Sequence, residues 1–208
     1  MPYSSPLPLS TMMSGNIGEE LLQKNFSFRD TVMSKKHCVR FATQDDLSAI
    51  AHVAHITWDD TYNNVIAPEN RREFLERAYK PENLSPSIDA PGHWFYVAEL
   101  GHEVIGFGHF LRRYHPTQAR AELVRLYVLP GYQNMFVGTT ILETGFDELA
   151  RDNIEQCFVS VQSSNKMARK FYERHGFKFH RTHGQFLGTQ IITLVEYTRS
   201  IGNADIKP

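Results

Sequence analysis

Apolar positions along this chain follow two rhythms, and each marks a different kind of element. Leu47, Ile50, Ala51, Ala54 and Trp58 share one face of a 3.6-residue repeat, which predicts an amphipathic helix ending near Asp60. Thr43 is a good N-cap for it, with Asp45 and Asp46 in the first turn, where negative charge is favoured. Pro68 opens a second helix to about Tyr79, with Phe74, Leu75 and Ala78 turned inward, and residues 81–92 read as a loop with one short helical turn. Before these helices, residues 37–42 read as a first strand. Over 93–100 and 104–113 two strands form a hairpin around Gly101-His102-Glu103, and a further strand follows over 121–128. Gly106 and Gly108 predict either a bulge or a surface against which something packs closely. Helical spacing returns at Val137, Gly138, Ile141, Leu142, Gly145, Phe146 and Leu149, giving a helix over 137–152. A strand over 156–162, a helix over 165–175 and strands over 177–182 and 189–197 complete the series.

The order β-α-α-β-β-β-α-β-α-β-β is a mixed α+β pattern in one domain, over residues 37–200. Residues 1–36, rich in Ser, Pro, Met and Gly, read as a flexible extension, and residues 201–208 as a loose tail.

Composition removes several function classes. At 208 residues the chain can bury one good core, and a formal net charge of -1 argues against a nucleic-acid partner recognised through excess positive charge. No apolar run has the length to cross a bilayer, and the N-terminus lacks a secretory pattern, so a cytoplasmic location is expected and a membrane partner is not. The two cysteines, Cys38 and Cys157, read as buried free thiols. The ten histidines are scattered without HExxH or paired Cys/His spacing, so no metal is expected.

The chemistry concentrates in two stretches. In the first, the apolar run 123–128 meets Pro130-Gly131, then Tyr132-Gln133-Asn134, then the helix from Val137. A strand turning tightly into a helix leaves the first backbone N–H groups unpaired and parallel, a receptor for phosphate; an ordinary strand-loop-helix connection is the alternative. In the second, residues 161–177 form a strand end, a Ser/Asn helix start and a short helix stopped by Gly176.

Together the two stretches resemble the GNAT superfamily of N-acetyltransferases. The first resembles its pyrophosphate motif, Arg/Gln-x-x-Gly-x-Gly/Ala, at Gln133 and Gly138; the middle glycine is Phe136 here, a residue not expected to take a left-handed conformation, whereas Asn134 tolerates one. The second resembles the family's Asn-x-x-Ala-x-x-Phe-Tyr-x-x-x-Gly-Phe helix at Asn165, Ala168, Phe171, Tyr172, Gly176 and Phe177. The resemblance implies a twisted, mainly antiparallel central sheet of about seven strands with helices on both faces. It also implies that strands 121–128 and 156–162 splay apart to admit acetyl-CoA as cosubstrate. Tyr127 and Val128 would then hold the pantetheine arm and acetyl group. Gln133, Asn134, Met135, Phe136, Val137, Gly138 and Thr139 would hold the pyrophosphate. Asn165 would cap its helix or bond the pantetheine. Dimers are common in the family, so a homodimer is a further expectation.

For catalysis, Tyr172 matches the family's general acid, the alternative being a packed aromatic beside Phe171. Glu122, placed by strict alternation on the same side as Val124, Leu126 and Val128, is the candidate general base, against a solvent-facing carboxylate. Glu99 and the pair Asp59-Asp60 are rivals. The stretch Thr57-Trp58-Asp59-Asp60-Thr61-Tyr62 resembles the acceptor-side segment of polyamine acetyltransferases, which makes a small primary amine the first expectation for the acceptor. A peptide N-terminus, or a silent acyl-CoA-binding module, are the competing expectations.

Overall fold

The computed structural model describes residues 36–202. The expected extension and tail therefore fall almost wholly outside the described residues. Seven strands form one sheet: β1 (Cys38–Phe41), β2 (His93–Leu100), β3 (Glu103–Arg113), β4 (Arg120–Val128), β5 (Gln156–Gln162), β6 (Lys178–Leu187) and β7 (Gln190–Ser200), in the order β1-β2-β3-β4-β5-β7-β6. Neighbours pair antiparallel except β4 and β5, which run parallel.

Helices cover both faces. Helix α1 (Leu47–Tyr62), α2 (Pro68–Tyr79) and the single turn α3 (Pro81–Leu84) lie on one face, where Ile50, Val53, Trp58, Leu75 and Tyr79 pack on Phe95, Val97 and Phe107. Helix α4 (Val137–Arg151) and α5 (Lys166–Arg174) lie on the other, where Val137, Ile141, Leu142, Phe146 and Leu149 meet Phe110, Leu123 and Val159. Each such aliphatic or aromatic side chain contributes about 1.5–3 kcal/mol when fully buried, so these stripes hold the layers together. Ile201, expected in the tail, is buried in this second core, and its N–H donates to the Glu155 carbonyl at 2.9 Å.

The capping signal acts where expected, at Thr43, but on a 3-10 turn, so the α-helix proper starts one turn later. Thr43 opens a 3-10 turn over Gln44–Asp46, with Thr43 N donating to Asp46 Oδ2 at 2.8 Å, and the α-helix proper begins at Leu47. Asp46 is also gripped by Arg40 at 2.7 Å, which holds its carboxyl below the usual range. Gly106 and Gly108 mark close packing, and Gly106 also adjoins a bulge, since Ala98 pairs with Gly106 but Glu99 with Val104, which leaves Ile105 as an extra residue on β3. A Cβ on Gly108 would collide with Ile141, and one on Gly106 would stand 3.3 Å from Val137 Cγ1, so these glycines seat the start of α4 directly on β3.

Two readings are corrected here. The last hairpin is longer than the pattern 177–182 and 189–197, because polar residues His183, Gly184 and Gln185 interrupt the apolar alternation while still pairing in register. It turns at Gly188-Thr189, where Gly188 takes φ +58° and a side chain would strike Asn70. Its tip is clamped to the α1–α2 connection: Gln190 Nε2 donates to the Val65 carbonyl at 2.9 Å, and Ala67 N donates to Gln190 Oε1 at 3.1 Å. Cys157 is buried as expected, whereas Cys38 is exposed; both thiols are free.

Candidate active site

Strands β4 and β5 pair only over Arg120–Gln156, Ala121–Cys157 and Glu122–Phe158. Beyond that they part. Two neighbouring strands that diverge leave backbone N–H and C=O groups facing each other across a gap, where a third chain can bond to them. The gap is lined by Leu123, Val124, Leu126, Tyr127 and Val128 from β4, and by Val159, Ser160 and Val161 from β5.

The divergence has a local cause on β4. Opposite β3, His109 pairs with Arg125 but Phe110 with Leu123, so Val124 is an extra residue, a β-bulge. A bulge reverses the alternation after it. Ala121 and Leu123 before it face the α4 core, and so do Leu126 and Val128 after it. Glu122 therefore points to the opposite face from Leu126 and Val128, not the same one. It sits at the last closed rung of the β4–β5 pair, its carboxylate 2.6 Å from Arg113 Nε. The structure does not bring Glu122 to the cleft wall. Its rivals are also engaged elsewhere: Glu99 with Arg40 at 3.0 Å, and exposed Asp59 with Arg71 at 3.5 Å.

Tyr172 is on the wall. Helix α5 carries it into the cleft with only 6% of its surface exposed, between Ala168 and the β5 strand. Burial, with the Tyr127 and Tyr62 phenols nearby, pushes its hydroxyl well above the ordinary tyrosine range. It is therefore a neutral O–H donor throughout the physiological pH range. The helix that aims it is fixed at its start: Asn165 Oδ1 accepts from Ala168 N at 3.0 Å, and Gln162 Oε1 accepts from Ser164 N at 2.7 Å. Asn165 also lines the cleft. The far end of α5 is tied to the start of α4, since His175 Nε2 and Thr139 Oγ1 are 3.2 Å apart.

At the cleft's end, Gln133 lines the wall and donates from Nε2 to the Val128 carbonyl at 3.4 Å. The first bond closing α4 runs from Thr140 N to the Phe136 carbonyl at 2.9 Å, so the N–H groups of Val137, Gly138 and Thr139 precede any helical partner. Phe136 takes φ +58°, ψ +12°, the left-handed conformation judged unsuited to it, while Asn134 does not. The ring is 75% exposed and is not on the cleft wall. Val137 is fully buried beneath the loop, Met135 packs partly against the α4 core, and a Cβ on Gly138 would stand 3.5 Å from the Phe171 ring.

Helix α1 supplies the remaining wall through Thr57, Thr61 and Tyr62, while Asp59 and Asp60 face solvent. The i, i+4 spacing of Thr57 and Thr61 beside the buried Trp58 was the available signal for this wall. Trp58 stacks on Phe74 at 4.3 Å and donates from Nε1 to Tyr127 OH at 3.0 Å, so α1 is fastened to the cleft strand.

A bulged strand parting from its parallel neighbour, an open helix N-terminus at the end of the gap and a buried tyrosine on its wall occur together here. The family model described as the Acetyltransferase (GNAT) family matches residues 50–177. The chain belongs to the GNAT acetyltransferase family. It is 27% identical over 150 residues, 70% of this chain and 91% of the relative, to a spermidine N(1)-acetyltransferase of Thermoplasma acidophilum. Among solved structures it is similar to a PaiA N-acetyltransferase of the same organism in complex with coenzyme A, with a TM-score of 0.68 at 25% identity, covering 77% of this chain and 98% of that one. A ribosomal-protein-S18-alanine N-acetyltransferase of Escherichia coli shares the fold, with a TM-score of 0.60 at 16% identity, covering 80% and 95%. The α+β class and the N-acetyltransferase assignment read from the two motifs therefore hold. No helix among the described residues is long and apolar enough to cross a membrane.

Proposed function

We propose that the chain transfers acetyl from acetyl-CoA, held in the β4–β5 cleft, directly to a primary amine of a small polyamine-like molecule. The observation that carries this reading is the separation of β4 from β5 beyond Glu122 and Phe158, with Tyr172 buried on the exposed gap. The residues present fit the cosubstrate. Backbone groups of Tyr127 and Val128 would bond the pantetheine arm, with Asn165 beside it. The N–H groups of Val137, Gly138 and Thr139 would receive the pyrophosphate, favoured by the positive end of α4. Because Phe136 itself makes the left-handed turn, the loop holds the shape a glycine would give, with the ring clear of the cleft.

The chain's own groups then divide the work. A backbone N–H near Val128 would stabilise the negative charge that develops on the thioester oxygen. Tyr172 holds its proton until the thiolate departs and delivers it there. An alkylamine with a pKa of roughly 10.4 arrives protonated at neutral pH, so a proton must leave it before attack. The polyamine preference is supported by the spermidine-acetylating relative; residues 37–200 are proposed as the transferase domain, in a cytoplasmic setting. Steady-state release of free CoA with a panel containing spermidine, other small amines and a peptide N-terminus tests this. Spermidine-like amines are expected to turn over fastest. Turnover confined to the peptide contradicts the acceptor class, and CoA binding without turnover of any amine contradicts acetyl transfer.

A further inference from the structure

Acetyl transfer to an ammonium needs a proton acceptor, and Glu122, Glu99 and Asp59 are held by arginines away from the gap. One strand away from the gap lies a further carboxylate, itself paired with an arginine of the edge strand. Glu196 on β7 is the direct cross-strand partner of Ser160, and Ser160 lines the cleft. Directly opposed antiparallel residues share a face, with Cβ atoms about 4.5–5.5 Å apart. Tyr197 next to it points into the α4 core, so Glu196 points with Ser160 to the side of the sheet on which α1 supplies its wall. Its side chain is 6% exposed, in an otherwise apolar run, Leu194-Val195-Glu196-Tyr197.

We propose, resting on the acetyl-transfer reading above, that Glu196 takes the proton of the incoming ammonium, passed through the hydroxyl of Ser160. The ammonium N–H bond breaks toward Ser160 Oγ, Ser160 gives its own proton to Glu196, and the nitrogen keeps the electron pair that attacks the thioester carbon. The C–S bond then breaks, with the thiolate protonated by Tyr172 and the proton on the new amide nitrogen returned to Tyr172; Glu196 later releases its proton to water. Two side chains of β6 face Glu196. Arg181 on β6 donates from Nη2 to Oε2 at 3.0 Å, while Oε1 lies 3.8 Å from His180 Nε2. His183 and Lys178 flank the same row on β6, opposite Leu194 and Thr198 of β7, and on β5 the row holds Phe158, Ser160 and Gln162. Arg181 is 62% exposed on the edge strand, so its ion pair is open to water and can yield when a cationic acceptor arrives.

The test is the pH profile of kcat/KM for the amine in Glu196→Gln and Ser160→Ala, alongside CoA affinity and thermal stability. Both variants are expected to bind CoA normally. At neutral pH both should lose about 10²-fold or more in kcat/KM, the order of a general-base contribution. The loss should shrink as pH approaches the amine's own pKa, where the proton is already gone. The small Ser160→Ala change guards against misfolding of the buried-carboxylate variant. An undiminished rate in either variant, or a loss equal at every pH, overturns the Glu196 and Ser160 relay while leaving acetyl transfer standing. A wild-type chain that binds CoA and acetylates no amine overturns both.

Discussion

Glu122 and Phe158 are the last residues at which β4 and β5 face one another in register, and the functional reading begins one residue beyond them. That rung sits immediately before the bulge at Val124, so one extra residue both ends the pairing and turns Leu126 and Val128 toward the α4 core. The cleft is thus built into the strand rather than opened by a ligand.

Tyr172 stands on the wall of that cleft, neutral and shielded. Replacing it with phenylalanine removes one hydroxyl and little packing. Tyr172→Phe is expected to lower kcat about 10²-fold while calorimetry finds CoA affinity nearly unchanged. An unaltered kcat removes Tyr172 from the proton account.

Phe136 holds a left-handed backbone with its ring largely in solvent. A non-glycine residue there costs about 1–2 kcal/mol, and glycine recovers this less about 0.5–1 kcal/mol of chain entropy. Phe136→Gly should therefore raise stability by up to about 1.5 kcal/mol, and Phe136→Val should lower it, read by chemical denaturation.

Gly108 is one of the points where α4 touches the sheet. A methyl group there meets Ile141, so Gly108→Ala should cost about 1–3 kcal/mol by overpacking. Because α4 also carries the turn proposed to receive the pyrophosphate, the same variant should weaken CoA binding, measured by calorimetry.

His109 lies on the opposite face of β3, 3% exposed, stacked on Phe95 at 4.6 Å and 3.0 Å from His93 Nδ1. Burial, with Arg125, His93 and Arg113 nearby, pushes its pKa down to about 3 from 6.5. Above pH 6.5 both folded and unfolded chains hold it neutral. As pH falls below that value only the unfolded chain takes up the proton, so stability is lost down to the folded pKa, at up to about 1.4 kcal/mol per pH unit. Thermal melts between pH 7 and 4 should show His109→Phe with a shallower decline than the wild type.

Much of this was legible in the residues. The strands over 93–100 and 156–162 and the helix over 68–79 agree with the structure to the residue, because clean periodicity and Pro68 define them. The two motif stretches contain Tyr172, Asn165 and Gln133, which line the cleft, and the open turn at Gly138. The bulge was not legible, since Leu123, Val124 and Leu126 are apolar on either register, and it carried Glu122 to the wrong face. The pairing of Glu196 with Ser160, on which the proposed relay rests, was not legible either, because a lone carboxylate in a strand does not reveal its cross-strand partner. Phe136 was misjudged because its exposed ring lets the turn and the packing of Val137 dictate its backbone.

The most direct measurement is amide hydrogen exchange of the full chain with and without coenzyme A. Binding in the parted strands predicts new protection at Val124 to Val128 of β4 and at Val137, Gly138 and Thr139, with β2 and β3 unchanged. Exchange unaltered at those amides under saturating coenzyme A, or protection gained elsewhere instead, contradicts the account.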